Sequence, residues 1–344
     1  MIKKAFITDC EGPVSLNDNA YELCREFIPD GDKFFKVVSS FDDYLVGINR
    51  ENYNAGNTLK LIAPFLKVYG LDNEKIFEFS NENMSLINGA KETMEYARKN
   101  MASYMVSTSY GQYIKALSDE ISFPYENTFY TYINIDNSVP IKENERNLLF
   151  SFKDEILKGD FDRQEKIFFK EIPRLDIGKI SENVVTVGGL GKKIAVDGIM
   201  LRENLIPKGL MYVGDSITDV EPLRFVRESD GLAISFNGNE FALKESEVAV
   251  VSDDAVVTSV LLDLFGRYNK NYCLEFVKLY SRSPQMAFEN LRINFSLMDK
   301  FREAFRDREI PIVQIIDDDN FDYLLEKSIE MRRNIRGKDV GELS

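Results

Sequence analysis

The sequence predicts an α/β protein: a Rossmann-like, mostly parallel sheet with helices on both faces, interrupted by helical insertions. Two observations carry this. Short apolar runs of strand length alternate with helix-patterned segments, which implies βαβ units. Several of those runs end in acidic or hydroxyl residues followed by glycine, and ligands of open α/β sheets bind at the carboxyl ends of strands.

The first strand is expected over residues 5–8, where Ala5-Phe6-Ile7 is followed by Asp9-Cys10-Glu11-Gly12-Pro13. Residues 14–85 carry Tyr21, Leu23, Phe27, Leu59, Ile62, Phe65 and Leu66 at helical spacings and contain no clear strand. A helix over 90–99 then leads to a strand over 102–106, and a helix beginning at 113–117 to a strand over 128–132. Residues 138–180 are charged and helix-patterned, with Leu148, Leu149, Phe152, Ile156 and Leu157 as an apolar face. Alternation resumes with helices over 193–202, 221–227 and 240–245, leading to strands over 210–213, 231–235 and 248–251. From about 255 to 344 the pattern is mainly helical. The expected organisation is a discontinuous core (1–16, 86–132 and 185–266), a helical cap (17–85), a second helical insertion (138–180) and a helical C-terminal extension (267–344).

Composition narrows the chemistry. The 344 residues hold 43 Lys and Arg against 57 Asp and Glu, a net charge of -14. This balance argues against nucleic acid or an anionic membrane surface as partner. No apolar run approaches the roughly 20 residues of a membrane span, and Met1-Ile2-Lys3-Lys4 leads into a strand without signal-peptide architecture. Cys10, Cys24 and Cys273 form no CxxC pair, so neither a disulfide framework nor a zinc site is expected. A cytoplasmic protein follows. The chain has no histidine, which eliminates Ser-His-Asp and Cys-His catalysis and imidazole acid–base chemistry. Carboxylates, Lys, Arg, hydroxyls or an oxygen-ligated metal must serve instead.

Four places hold reactive groups: Asp9 and Glu11; Ser107-Thr108-Ser109; Gly189-Leu190-Gly191-Lys192-Lys193; and Gly214-Asp215-Ser216-Ile217-Thr218-Asp219. Together they make a kit for phosphoryl transfer. Asp9 and Asp215 offer hard oxygens to Mg²⁺. A carboxylate held against phosphate can attack phosphorus. Hydroxyls at Ser107 and Thr108 and a cation at Lys192 or Lys193 suit the equatorial oxygens. Glu11 is placed to protonate the leaving group and then activate water. Gly12 and Gly214 let the backbone approach phosphate or metal. Other features have plainer readings. Ser107 also suits a helix N-cap. Cys10 reads as a small buried strand-end residue, Asp317-Asp318-Asp319 as a solvated turn, and Arg332-Arg333-Asn334-Ile335-Arg336 as a charged helix end.

This order and spacing resemble the haloacid dehalogenase superfamily of phosphatases and phosphotransferases. Asp9-Cys10-Glu11-Gly12 resembles its Asp-x-Asp-Gly motif, Ser107 its strand-end hydroxyl, Lys192 its lysine, and Gly214-Asp215-Ser216-Ile217-Thr218-Asp219 its Gly-Asp-Ser-x-x-Asp. Ala195, three residues beyond Lys192, favours that lysine over Lys193. The resemblance covers the core and leaves out the insertions and extension. It implies a phosphatase acting on a small phosphorylated metabolite through an aspartyl-phosphate on Asp9, with Glu11 as general acid and then base. Mg²⁺ would be held by Asp9, the Glu11 carbonyl and Asp215, with Asp219 in support, and the cap would close over the site. Glu11 departs from the usual aspartate, as in some phosphoserine-phosphatase-like members. Transfer to an alcohol instead of water is the alternative. With its long extension, and with Asp9-Cys10-Glu11-Gly12-Pro13 combined with Val106-Ser107-Thr108-Ser109-Tyr110, the whole chain also faintly resembles archaeal proteins known as a subunit of an energy-converting hydrogenase, which implies a partner complex without excluding phosphatase activity.

Overall fold

Alternating side chains along each apolar run decide how the sheet is built. The computed structural model describes residues 2–136 and 140–341. Met1, positions 138 and 139 of the second insertion, and 342–344 of the extension lie outside the described residues. The strands are β1 (Ala5–Thr8), β2 (Ala102–Tyr110), β3 (Thr128–Thr131), β4 (Leu210–Gly214), β5 (Leu232–Phe236), β6 (Val248–Val251) and β7 (Ile312–Ile315). They form one sheet in the order β3-β2-β1-β4-β5-β6-β7, in which β1 to β6 pair in parallel. In β1, Ala5 and Ile7 join the core under one face while Phe6 joins the core under the other. All four of its residues are buried, as a strand covered on both sides must be.

The helices follow in chain order: α1 (Asn19–Phe27), α2 (Gly31–Gly47), α3 (Thr58–Val68), α4 (Asn73–Glu82), α5 (Ala90–Asn100), α6 (Gly111–Glu120), α7 (Glu143–Ile156), α8 (Phe161–Lys166), α9 (Lys179–Glu182), α10 (Leu190–Glu203), α11 (Val220–Glu228), α12 (Glu240–Glu245), α13 (Val256–Arg267), α14 (Lys270–Arg282), α15 (Pro284–Asn290), α16 (Phe295–Ala304) and α17 (Phe321–Gly341). Residues of α10, α11 and α12 pack on the Ala5 face, and residues of α5, α6, α13, α14 and α16 on the Phe6 face. The core strands and crossover helices expected from the sequence are therefore present.

Three expectations change. The insertions are not two separate packages: Phe34, Phe41 and Phe65 of the first share one hydrophobic core with Leu149, Phe152, Ile156 and Phe168 of the second. The Phe41 and Phe168 rings stack at 5.9 Å. Leu148, assigned to that apolar face, is instead exposed. The extension is not wholly helical, because Ile312–Ile315 adds antiparallel to β6 as β7. Four residues behind Pro311 make a weak local strand signal, and the free edge of β6 supplies their pairing. Finally, β2 runs on to Tyr110 and α6 starts at Gly111, so Ser107 is inside a strand and is no helix N-cap. Asp317 does close an exposed turn, accepting from the Asp319 and Asn320 amides at 3.1 and 3.0 Å. No described helix is long and apolar enough to cross a membrane.

A single cap core makes the two insertions thermodynamically coupled. Phe41→Leu and Phe168→Leu are each expected to destabilise the chain, and the double variant to lose about 1 kcal/mol less than the sum. Denaturant titration of the four proteins measures this. Strict additivity would contradict a shared core.

Candidate active site

The chain runs from β1 to β2 and β3 on one side, then crosses to β4 on the other side of β1. The strand order thus reverses at the carboxyl ends of β1 and β4, where such sheets open a crevice. Thr8 pairs with Val213, and the Asp9 amide donates to the Val213 carbonyl at 2.8 Å. Asp9 and Asp215 are thereby brought side by side. Gly12 makes the approach possible: at φ +102° it faces Asp215, and a Cβ there would sit 2.3 Å from the Asp215 Oδ2.

Lys192, fully buried in the first turn of α10, holds the floor of the site. Its Nζ donates to Asp9 Oδ2 at 2.6 Å and to Asp219 Oδ1 at 2.8 Å. Asp219 Oδ1 also accepts from the Tyr212 hydroxyl at 2.7 Å, and its Oδ2 from the Asp215 and Ser216 amides at 3.1 and 3.2 Å. With about two lone-pair positions per oxygen, Asp219 is saturated by protein donors. It braces the loop and the lysine. Asp9 Oδ1 accepts from the Cys10 amide at 2.6 Å, which leaves that oxygen one further lone pair.

Successive helical residues point about 100° apart, so only one of two neighbouring lysines can face Asp9. Lys193 does not. Its Nζ pairs with Asp197 at 2.7 Å and lies 4.1 Å from the centre of the Phe225 ring, which corrects its assignment as a phosphate ligand. On β2, Thr108 and Ser109 line the cavity, whereas Ser107 sits behind them with its Oγ 3.2 Å from the Ser109 Oγ. The Thr108 Oγ1 is buried without a protein partner, which makes it the better phosphate donor of the two predicted hydroxyls. Gly12 serves Asp215 and is not part of the lining. Cys10 is buried in the core, and burial pushes its thiol pKa well up.

Burial dominates the electrostatics. It raises the Asp9 pKa well above the usual carboxylate range, helped by Asp219 and opposed by Lys192. Glu11 is raised well above its usual range by burial and by Asp18, against the Asn19 amide that donates to its Oε1 at 2.8 Å. The shift favours the protonated carboxyl relative to one in water. For Lys192 burial acts downward, but Asp219 and Asp9 outweigh it and the net shift is upward.

Two residues of the site come from a place the sequence did not mark. Arg332 and Arg336 of α17 line the cavity beside Asp215, which corrects the reading of this stretch as a charged helix end. Their i,i+4 spacing was the only local signal, and it says nothing of what they face. The cavity is small, about 90 Å³, and its cap wall includes Asp18, Phe35, Asp42 and Thr58.

The donor set fits a hard divalent cation. One carboxylate oxygen from each of Asp9, Asp215 and Asp219 lies within 4.8 Å of the others, and all donors are oxygens. No described residue donates to the Asp215 Oδ1, so that oxygen and the second lone pair of Asp9 Oδ1 are the available ligands.

Known structures share this fold. Over 76% of this chain and 98% of its own, a phosphoserine phosphatase captured as a phospho-aspartyl intermediate analogue matches with TM-score 0.50 and 16% identity. The fold is haloacid-dehalogenase-like. The gene product AF1437 of Archaeoglobus fulgidus matches along nearly the whole length, 99% of both chains, with TM-score 0.82 and 28% identity. Cap and C-terminal extension are therefore shared with that protein. No family model and no curated protein sequence matches the chain.

Because the fold raises the Asp9 pKa, its contribution to stability is full below the unfolded value of about 3.9 and is lost as pH rises through the folded value. Asp9→Asn removes that loss. The metal-free variant is expected to melt above wild type at pH 8, with the gap closing toward pH 4. Scanning calorimetry on chelator-treated protein reads this, and a variant melting lower at pH 8 contradicts it.

Proposed function

We propose that the chain is a Mg²⁺-dependent phosphoric monoester hydrolase that works through an aspartyl-phosphate on Asp9. The observation that carries this is the buried Lys192 bridging Asp9 and Asp219, with the Glu11 carboxyl on the same cavity. The Asp9 carboxylate, through the oxygen not held by the cation, would attack phosphorus while the bond to the leaving oxygen breaks, and Glu11 would give its proton to that oxygen. Glu11, now a carboxylate, would take a proton from water as the water oxygen attacks phosphorus and Asp9 leaves. The glutamate regains its proton and phosphate is released. Lys192 holds the nucleophile in place and offsets its charge throughout. Thr108 and Ser109 offer hydroxyls to the phosphoryl oxygens. When bound to Asp9, the Glu11 carbonyl and Asp215, Mg²⁺ supplies charge neutralisation on those oxygens.

The longer glutamate arm is accommodated by the backbone. Glu11 reaches toward the Asn19 amide at the start of α1, so its acid sits where core meets cap. A small cavity under the cap favours a compact leaving group, and phosphoserine belongs in the first substrate panel alongside other small phosphate esters. The complete set of Asp9, Glu11, Lys192 and Asp215 supports catalysis over a purely structural role in a larger complex.

The test is phosphate release from a panel of small phosphomonoesters with and without Mg²⁺. Asp9→Asn is expected to abolish turnover, and Glu11→Gln to slow it by about 10²–10⁴-fold. Phosphorylated acceptor appearing when alcohols are added would identify the transferase instead. Undiminished Mg²⁺-dependent turnover in Asp9→Asn would overturn the mechanism.

A further inference from the structure

We propose that Arg332 and Arg336, from the C-terminal extension, are positioning residues of the active site that hold Asp215 in its metal-binding orientation. The role assigned to Asp215 rests on the phosphohydrolase reading; the clamp itself stands on geometry.

Arg332 is only 3% exposed. Its Nη1 donates to the Asp215 Oδ2 at 2.8 Å, to the Asp215 carbonyl at 2.9 Å and to the Asn237 carbonyl at 3.3 Å. One guanidinium nitrogen thus fixes both the backbone and the carboxylate of the same residue. Four residues on, one helical turn further, Arg336 Nη1 lies 3.4 Å from the same Oδ2. Its Nε donates to the Leu16 carbonyl at 3.1 Å and its Nη2 to the Asn17 carbonyl at 2.6 Å. Leu16 and Asn17 lie between Glu11 and the first cap helix, so Arg336 ties Asp215 to the segment that carries the general acid. With both guanidinium groups on Oδ2, Oδ1 is left for the cation.

The helix delivering these residues is itself anchored on both sides of the site. Leu324, near its start, packs with Leu243 and Ala249 of the core, and Val340, near its end, packs in the cap core. Past the break at Gly337 (φ +76°), Asp339 pairs with Lys36 of α2 at 2.6 Å. A carboxylate rotates about two side-chain bonds, and a cation bound through one oxygen does not fix both. A donor on the other oxygen does, and loss of such partners commonly costs 10–100-fold in metal affinity. Lysine cannot replace the fork of Arg336, whose Nε, Nη1 and Nη2 reach three acceptors, and at Arg332 its flexible stem and freely rotating ammonium do not hold the donor where Nη1 sits.

The experiment is calorimetric titration of metal-free full-length protein with MgCl₂, with melting curves and circular dichroism as controls for folding. Arg332→Lys keeps the charge and loses the geometry, so changed repulsion between guanidinium and cation does not confuse the result. It is expected to remain folded and to bind Mg²⁺ about 10-fold or more weakly. A folded Arg332→Lys with wild-type affinity overturns the proposal. Should Arg332→Lys fail to fold, Arg336→Lys decides: weakening of about threefold is expected, and unchanged affinity overturns the proposal. Wild-type protein that takes up no Mg²⁺ overturns the phosphohydrolase reading and this proposal with it. Normal wild-type uptake beside unaffected variants sinks only the arginine clamp.

Discussion

Carboxylates buried at the carboxyl ends of β1 and β4 set the terms for the rest of the molecule. Asp9, Asp215 and Asp219 are almost out of contact with water, and uncompensated burial of that much negative charge would cost several kcal/mol per ion. Lys192 is the first compensation, reaching two of the three carboxylates from the start of α10. Arg332 and Arg336 supply the rest at Asp215. The counter-charges come from two distant parts of the chain, the start of α10 and the C-terminal helix α17. The same burial that makes the carboxylates expensive raises the pKa of Asp9 and Glu11 and suits the latter to acid catalysis.

The cap obeys a similar economy. The two insertions merge around Phe34, Phe41, Phe65, Phe152 and Phe168. Tyr110 from the end of β2 enters that core and its hydroxyl donates to the Leu59 carbonyl at 2.6 Å, tying cap to catalytic sheet. Val340 enters from the opposite end of the chain. The cap is therefore built from four separated segments around one hydrophobic centre, and it roofs a cavity whose floor is the carboxylate cluster.

The core strands were legible because their apolar runs are short, continuous and bounded by turn residues. Asp9, Glu11, Lys192 and Asp215 were legible because each falls just past a strand or at the start of a helix. Local pattern failed in three places. Ser107 and Thr108 are adjacent hydroxyls in one strand, and only the fold shows that Thr108 faces the cavity. In sequence only the spacing of Ala195 favours Lys192 over Lys193, while about 100° of helix rotation separates the two and the folded α10 turns Lys192 to Asp9 and Lys193 to Asp197. Ile312–Ile315 becomes a strand because β6 offers a free edge, not because four residues after a proline insist on it.

The sequence by itself determined the α/β class, the placing of Asp9, Glu11 and Asp215 at strand ends, and the absence of imidazole chemistry in a chain without histidine. Those properties are written in short-range patterns of polarity and in residue types. Tertiary structure alone decided that the two insertions form one cap and that the basic stretch near the C-terminus belongs to the active site. A guanidinium more than a hundred residues from its carboxylate leaves no local trace of the pairing, because the desolvation that makes the pair necessary exists only after the chain has folded.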